Sequence, residues 1–301
     1  MRIIEKSILL KPLPPYLLSP HIETFTSRSG PVPCIYSCAT CRRLAVAENH
    51  KFAYSLRLIK EGMNPLLDVK LLIFKGEPHE IERTMEKVLD IKTDFNDVLE
   101  SVRGSPCLEL LVKKWLGVRP CRFTSLYEAL VVVIPQQQIS LRIALERIRD
   151  LILQCGEKVT IRGDEYYGVP APEKLMAMDI SQLKRIVLST RKAETIKHVA
   201  HLEYTNELPS ILEIEGNPYR AVEELINIPG IGRWTAATAV SMVLSNYQIG
   251  VPWDLAVRKG YARVCGGRPI SLEVEKILSN NPYRGLIMYL LSLEHLKVGF
   301  R

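Results

Sequence analysis

The sequence predicts an α+β fold in which an N-terminal antiparallel sheet precedes a mostly helical region. Over residues 1–75 the apolar side chains alternate or run in short stretches rich in Ile, Leu and Val, which is typical of β-strands. From about residue 105 they recur every three or four positions, which is typical of amphipathic helices. We therefore expect an α+β domain at residues 1–104 and a helical region at residues 105–301.

The individual elements follow from the same patterns. Strands are predicted in RIIEKSILL, AYSLRLIKEG and DVKLLIF, and a helix at residues 79–91. Pro, Gly and capping residues divide the second region, where strands are not expected and the segment 156–170 is predicted to be a short connection. Helices are predicted there near residues 106–116, 125–134, 138–155, 172–178, 181–188, 191–203, 218–226, 233–246, 254–264, 271–279 and 283–297.

Composition indicates an ordinary globular protein. The chain has 301 residues, of which 47% are hydrophobic and 24% are charged, and this balance argues against disordered and fibrous proteins. It contains no run of about 18 apolar residues, so a membrane span is not expected. The start, MRIIEKSILLKPLPP, has Glu5 and Lys6 inside its apolar stretch, and we therefore expect no secretory signal and an intracellular protein.

The charge balance permits a polyanionic partner. The formal net charge is +7, and the second region holds most of this excess. Four basic side chains lie close together with Asp254 as the nearby acid: Arg258, Lys259, Arg263 and Arg268. This stretch is either a phosphate-binding surface or a solvated helix face.

The cysteine pattern favours a reduced protein. Seven cysteines, an odd number, fit an intracellular chain better than a disulfide framework. Cys34, Cys38 and Cys41 have the C-x3-C-x2-C spacing that resembles the iron–sulfur motif of radical S-adenosylmethionine enzymes. Those enzymes need repeated strand–helix units after the motif. We interpret the three as part of a loop or strand, with a disulfide or a small metal site as alternatives.

The segment LINIPGIGRWTA at residues 225–236 predicts a tight hairpin between two helices. Gly230 and Gly232 allow backbone conformations that a side chain would forbid, so that main-chain N–H groups can converge. Ile231 can anchor the hairpin in the core, and the next helix opens at Arg233 with its positive end. Such a corner suits a phosphate of a nucleic-acid backbone, although a purely structural turn is the alternative.

Asp254 lies just before an apolar-periodic helix, twenty residues after the hairpin. It can cap that helix by accepting hydrogen bonds from the N–H groups of residues 256 or 257. A carboxylate in the same cleft as a phosphate-binding hairpin could instead stabilise positive charge on a sugar.

Four separate segments carry a family resemblance. They are FTSLYEALVVVIPQQQIS (123–140), PAPEKLMAMDISQLKRIVLSTRKAETIKHVA (170–200), IPGIGRWTAATA (228–239) and NPYRGLIMYLL (281–291). In this order they resemble the helix-hairpin-helix base-excision DNA glycosylases, and in detail the AlkA-like 3-methyladenine DNA glycosylase II branch. The resemblance implies two helical subdomains with the active-site cleft between them.

The resemblance also implies an activity and residue roles. A damaged, alkylated base would be flipped out of duplex DNA and its N-glycosidic bond hydrolysed, leaving an abasic site. Asp254 would be the catalytic carboxylate. Gln138 would fill the gap left by the flipped nucleotide, with Gln137 in support, although a polar turn is the alternative for both. DNA phosphates would contact the hairpin and the start of the following basic stretch, which comprise Pro229, Gly230, Ile231, Gly232, Arg233, Arg258 and Lys259.

Position 234 bears on the type of reaction. Bifunctional relatives carry a lysine there, whereas this chain has Trp234, which cannot attack a sugar as an amine. The resemblance therefore implies a monofunctional enzyme, in which Trp234 lines the base pocket or packs in the core. Thr238 and Ser292 replace family aromatics. The expected substitutes are Tyr289, Trp253, Tyr127 or the Tyr166-Tyr167 pair.

No metal ligand set is evident, because His198 and His201 lack a third partner in the sequence. The resemblance implies that no cofactor is required and that a monovalent cation can bind hairpin carbonyls. It implies a monomer that binds damaged double-stranded DNA, without a membrane, in the cytoplasm with the nucleoid or in the nucleus. The alternatives are a non-catalytic helix-hairpin-helix DNA-binding protein and a glycosylase/lyase for oxidised purines.

Overall fold

The computed structural model describes residues 3–26, 30–31, 34–37, 40–47, 50–268 and 270–298. Its N-terminal part contains a five-stranded antiparallel sheet in the order β1-β5-β4-β3-β2. The strands are β1 (Ile4–Leu10), β2 (Ile35–Ser37), β3 (Thr40–Ala47), β4 (His50–Lys60) and β5 (Leu66–Lys75). The predicted sheet is thus confirmed, and it has two strands, β2 and β3, that the apolar pattern did not indicate.

Both faces of this sheet are covered. Phe52 and Leu56 on β4 point to one face, where they join a buried cluster with Ile81 and Met85 of the following helix. Ala53, between them in sequence, joins Tyr166 on the other face. The alternation of side chains along a strand produces this division.

A β-hairpin covers the second face, and its presence corrects the prediction of a strand-free helical region. Strands β6 (Lys158–Ile161) and β7 (Asp164–Tyr167) pair within the segment that was expected to be a connection. Arg162 and Gly163 between them have φ values of 52° and 86°. Two successive positive φ angles are what a two-residue hairpin turn requires.

Most predicted helices begin and end within three residues of the expected positions, whereas the helix predicted at residues 233–246 already ends at Ser241. They are α1 (Ser19–Phe25), α2 (Pro78–Val88), α3 (Phe95–Ser101), α4 (Pro106–Lys114), α5 (Leu126–Val133), α6 (Leu141–Cys155), α7 (Pro172–Ala177), α8 (Ile180–Val187), α9 (Thr190–Tyr204), α10 (Ile211–Gly216), α11 (Pro218–Ile226), α12 (Arg233–Ser241), α13 (Leu255–Cys265), α14 (Ser271–Leu278) and α15 (Arg284–Val298). The short helices α1, α3 and α10 were not predicted. Helix α6 begins three residues later than expected, because Gln138 has a positive φ of 55°.

The apolar side chains of the helices from α3 onward form two clusters. The first contains residues of α5 to α12, and the second contains residues of α3, α4, α13, α14 and α15. Phe95 and Val98 of α3 therefore pack with the last helices of the chain. The domain boundary near residue 104 stays a prediction.

Two disulfides correct the expectation that the cysteines are reduced. Cys34 bonds Cys41, and Cys107 bonds Cys265. The antiparallel pairing of β2 with β3 holds the first pair at a Cα–Cα distance of 5.7 Å, and the packing of α4 on α13 holds the second at 5.0 Å. Cys38 lies outside the described residues, so its predicted grouping with Cys34 and Cys41 is not assessed.

Within the described ranges, no helix is both long enough and apolar enough to cross a membrane.

Candidate active site

A cavity of about 560 Å³ lies where α1, β3, β4, α6, α12 and α15 approach one another. Asp254 lines it and is the one acidic side chain among the described lining residues. Arg43 and Arg122 also line it, but buried carboxylates accompany both of them. Arg43 lies 2.8 Å from Glu128, and Arg122 lies 3.7 Å from Asp90. Among the described residues that line the cavity, the carboxylate of Asp254 is therefore the charged group without an ion-pair partner.

Asp254 is fixed by hydrogen bonds at both oxygens. Its Oδ1 accepts from the backbone N–H groups of Ala256, at 2.7 Å, and Val257, at 3.1 Å. The predicted capping of α13 is thus confirmed. Its Oδ2 accepts from the indole N–H of Trp234 at 2.7 Å. A carboxylate has about four lone-pair directions, so one direction stays open for a further donor.

The bond between Trp234 and Asp254 was not predicted from the sequence. The two residues are twenty positions apart, and the segment between α12 and α13 brings Asp254 back to the first turn of α12. Trp234 is half-buried and lines the cavity, so it is both a wall of the pocket and a support for the carboxylate.

Three of the other predicted pocket residues line the cavity, namely Thr238, Tyr289 and Ser292. His295, which was not predicted, lines it as well. Burial first, and then the nearby cations of α13, lower the pKa of His295.

The placement of Trp253 in the pocket is a prediction that the structure corrects. Its ring packs half-buried against the first helical cluster, with the guanidinium of Arg233 5.0 Å from the ring centroid. Tyr127 is buried elsewhere and donates to Pro170 O, and Tyr166 belongs to the cluster behind the sheet. Among the candidate substitutes, Tyr289 supplies the aromatic surface.

Helix α1 contributes pocket residues that the sequence did not indicate. His21 Nδ1 lies 3.0 Å from the hydroxyl of Tyr289, and the ring of Phe25 lies 6.1 Å from the Tyr289 ring. Burial lowers the pKa of His21 to about 4, so its imidazole is neutral at pH 7. The i, i+4 spacing of His21 and Phe25 was the available signal, but α1 is too short to show a helical period.

The hairpin has the predicted form at Gly230 but not at Gly232. Pro229 and Gly230 occupy the centre of a turn in which Ile231 N–H donates to Ile228 O at 3.0 Å, and Gly230 has φ 90°. Pro followed by a left-handed Gly is the signature of a type II turn. Gly232 has φ −96° and ψ 173°, which other residues also adopt, so its predicted need for glycine is wrong.

The hairpin places its flanking residues as expected. Ile231 is buried and anchors the turn in the first cluster, whereas Gly232 and Arg233 are exposed. Helix α12 begins at Arg233, so its N-terminal N–H groups lie beside the turn. Lys259 is exposed on α13 and Arg258 is half-buried.

A segment of residues 134–138, here called the wedge loop, starts with a single 3₁₀ turn (Ile134–Gln136) and joins α5 to the turn before α6. Gln138 is exposed at its tip. Gln137 is different, because its amide donates inward to Gly230 O at 3.0 Å and to Thr235 Oγ1 at 2.9 Å. These hydrogen bonds agree with the expected supporting role of Gln137, and a contact of Gln137 with DNA stays a prediction. Gln138 is exposed and can project outward.

The two histidines that the sequence left without a third metal ligand do not line the cavity. His198 and His201 are both exposed on α9. Among the described residues no group of three or more His, Cys, Asp or Glu side chains could hold a metal ion.

Comparison with known proteins finds curated relatives that are all named DNA-3-methyladenine glycosylases. The chain is 28% identical to the DNA-3-methyladenine glycosylase of Bacillus subtilis over 157 residues, which are 52% of this chain and 52% of the relative. The chain thus spans about half the length of the curated relatives it matches. No family model matches it.

Solved structures match nearly the whole chain. The 3-methyladenine DNA glycosylase of Archaeoglobus fulgidus has a TM-score of 0.78 at 23% identity and covers 95% of this chain and 98% of its own. The 8-oxoguanine glycosylase/lyase of Clostridium acetobutylicum in complex with double-stranded DNA has a TM-score of 0.72 at 18% identity, over 99% of both chains. These likenesses establish a shared fold, and the predicted resemblance to helix-hairpin-helix glycosylases is confirmed.

Proposed function

We propose that the protein is a monofunctional DNA glycosylase that removes an alkylated base from duplex DNA. The observation that carries this proposal is the position of Asp254. Its carboxylate is held at the start of α13 by three hydrogen bonds, and it lines a cavity that is large enough for a base. The names of the relatives, which are DNA-3-methyladenine glycosylases, support the substrate class.

The carboxylate would act on the sugar. Breaking an N-glycosidic bond leaves positive charge on the anomeric carbon and its ring oxygen, and a fixed anion nearby stabilises that charge. Because Trp234 and the helix N–H groups already orient Asp254, little reorganisation is needed as the charge develops. The open lone-pair direction can accept a hydrogen bond from the attacking water and take its proton.

An alkylated base suits this pocket. Alkylation on a purine ring nitrogen makes the base cationic, so it leaves as a neutral molecule without an acid catalyst. The aromatic rings of Trp234, Tyr289 and Phe25 give the cavity faces on which such a base can stack. His21, which is neutral at pH 7, adds no opposing charge.

The monofunctional assignment rests on the absence of an amine near the sugar. No lysine is among the described residues that line the cavity, and position 234 is an indole. Schiff-base chemistry needs an amine within reach of the anomeric carbon. The fold itself does not decide this point, since a glycosylase/lyase shares it.

DNA would bind across the hairpin and the wedge loop. The turn at Gly230 and the N-terminus of α12 would contact a phosphate, and Arg258 and Lys259 would contact others along the same strand. Gln138 would fill the gap in the duplex. Monomeric state and an intracellular location, nucleoid-associated or nuclear, belong to the same proposal.

The implied monovalent cation also remains a proposal. Gly230 O accepts a hydrogen bond from Gln137, and Pro229 O lies 3.2 Å from Thr195 Oγ1. A cation would therefore use neighbouring backbone oxygens of the hairpin.

The experiment is base release from duplexes that contain one defined lesion. We expect free alkylated base and a strand that breaks only after alkali. Borohydride should trap no covalent complex, whereas trapping would identify a glycosylase/lyase. Binding without release of any base from the lesion panel would identify a non-catalytic DNA-binding protein and contradict the proposal.

A further inference from the structure

Three segments meet beneath the exposed Gln138: the wedge loop, the start of α9 and the hairpin. Gln137 makes the direct bridge, because its amide donates to the hairpin at Gly230 O and to Thr235 Oγ1 of α12. Thr235 is 2% exposed. This contact joins residues 93 and 98 positions apart in the sequence.

Helix α9 supports the loop and the hairpin from the same side. Lys192 is 8% exposed, and its Nζ donates to Pro135 O at 2.9 Å. One turn later, Thr195 Oγ1 lies 3.2 Å from Pro229 O. A Cβ on Gly230 would approach the same Thr195 oxygen to 1.8 Å, so the hairpin is seated directly on α9.

A buried ammonium is unusual, since burial penalises its charge. Burial lowers the pKa of Lys192. The ammonium is directed at one backbone carbonyl of the wedge loop, which it can hold more firmly than a neutral donor can. The bond fixes the loop three residues before Gln138.

We propose that Gln137 and Lys192 are positioning residues that hold the wedge loop and the hairpin as one rigid unit. Extrusion of a base-paired nucleotide costs a few kcal/mol of unpairing and unstacking. Gln138 can block the return of that nucleotide into the duplex only if the wedge loop keeps its conformation. Through this unit the phosphate contacts of the hairpin support Gln138 while it fills the gap. This inference rests on the proposed function.

The test compares two contexts for one lesion. Gln137→Ala and Lys192→Met should slow single-turnover excision from a fully paired duplex by about tenfold or more, the factor that corresponds to about 1.4 kcal/mol. The same lesion in a single-nucleotide bulge needs little extrusion, so its excision should slow by less than about threefold. Asp254→Asn should lose excision in both contexts.

Lys197→Met is the matched control. Lys197 lies on the same helix, and its Nζ donates to another backbone carbonyl, that of Met178, away from the wedge loop. The Lys197→Met substitution removes the same kind of hydrogen bond from α9, and excision should not change in either the paired or the bulged duplex. Thr235→Val removes one of the two acceptors of the Gln137 amide while keeping the side-chain shape. Its effect should be no larger than that of Gln137→Ala and should not add to it, because Gln137→Ala already lacks that hydrogen bond.

A readout without excision separates this inference from the proposed function. 2-Aminopurine placed beside a mismatch becomes fluorescent when wild-type protein unstacks the duplex, and Gln137→Ala should reduce that rise at saturating protein. If wild type releases no base but the fluorescence difference is present, the proposed function fails and the positioning role stands.

Equal slowing of paired and bulged substrates would indicate a general structural defect and overturn the positioning role. Normal excision and fluorescence by both variants would overturn it as well. If Gln137→Ala or Lys192→Met fails to fold, the test uses Thr235→Val instead. Slower excision by Thr235→Val from the paired than from the bulged duplex would then support the positioning role, and equal rates relative to wild type in both would overturn it.

Discussion

Replacing Asp254 with Asn gives the sharpest test of the site, because the structure predicts two separable effects. The first effect concerns the charge. At an effective dielectric constant of about 20, a unit charge about 4 Å from the developing positive charge is worth about 4 kcal/mol. Removing it should slow excision about a thousandfold, with DNA affinity nearly unchanged.

The second effect concerns stability. Asp254 accepts hydrogen bonds at both oxygens, from backbone N–H groups at Oδ1 and from the Trp234 indole at Oδ2. An Asn side chain has one oxygen, so either orientation turns its NH₂ group towards another donor. The unmet hydrogen bond should lower the free energy of unfolding by about 1–3 kcal/mol.

A second variant separates the two effects. Adding Trp234→Phe to Asp254→Asn removes the indole donor, so that the amide oxygen can cap α13 without conflict. Stability should then rise relative to Asp254→Asn, while excision stays low. Excision is measured in single-turnover assays with alkali treatment, and stability by urea unfolding. Excision by Asp254→Asn within tenfold of wild type would refute the catalytic role of the carboxylate.

Three further predictions concern other parts of the molecule. Gly230→Ala should lower the free energy of unfolding by about 2 kcal/mol or more in urea, because residue 230 has a φ of 90° and its new Cβ would clash with Thr195. Gly232→Ala, whose Cβ would have no atom within 4 Å, should change it by less than about 0.5 kcal/mol. Equal losses in the two variants would contradict the hairpin geometry. Cys107→Ser opens a link across 158 residues and should cost about 2–5 kcal/mol; an unchanged urea midpoint would disprove this. Because the pKa of His21 is lowered to about 4, the unfolded chain binds its proton first, and stability should fall by up to about 3 kcal/mol as pH falls from 6.5 through 4. His21→Gln should lose less over that range, and an equal loss in both proteins would show that His21 does not contribute.

The fold class and most helices could be predicted because they depend on local periodicity. Amphipathic segments such as α11, with its capping Asn217, carry their own start and stop signals. The hairpin β6–β7 carried a weaker signal, since its strands have four residues each. Short helices such as α1 and α10 form because neighbouring elements bury one side of them, and periodicity over six or seven residues does not indicate that packing.

Asp254 and the hairpin could be predicted because each is local in sequence: a capping residue before a helix, and a Pro-Gly turn between two helices. The contacts among them could not. The indole of Trp234, the amide of Gln137 and the ammonium of Lys192 each reach a partner at least twenty residues away. By residue type, tryptophan is expected to be largely buried and glutamine and lysine to be exposed, and only the packed chain shows which polar atom each one meets.

Trp234 and Asp254 together bear on the type of reaction in a way that neither residue does alone. An amine at position 234 could attack the sugar, and it would also replace the indole N–H that holds Oδ2 of Asp254 at 2.7 Å. A lysine ammonium is a mobile donor on a flexible stem, whereas the indole is rigid and donates in one direction. Under the proposed function, the tryptophan would withhold the nucleophile and would also keep the carboxylate in place for water. A chain that relies on hydrolysis would gain from both effects, so the bond between these two side chains supports the proposed hydrolytic course.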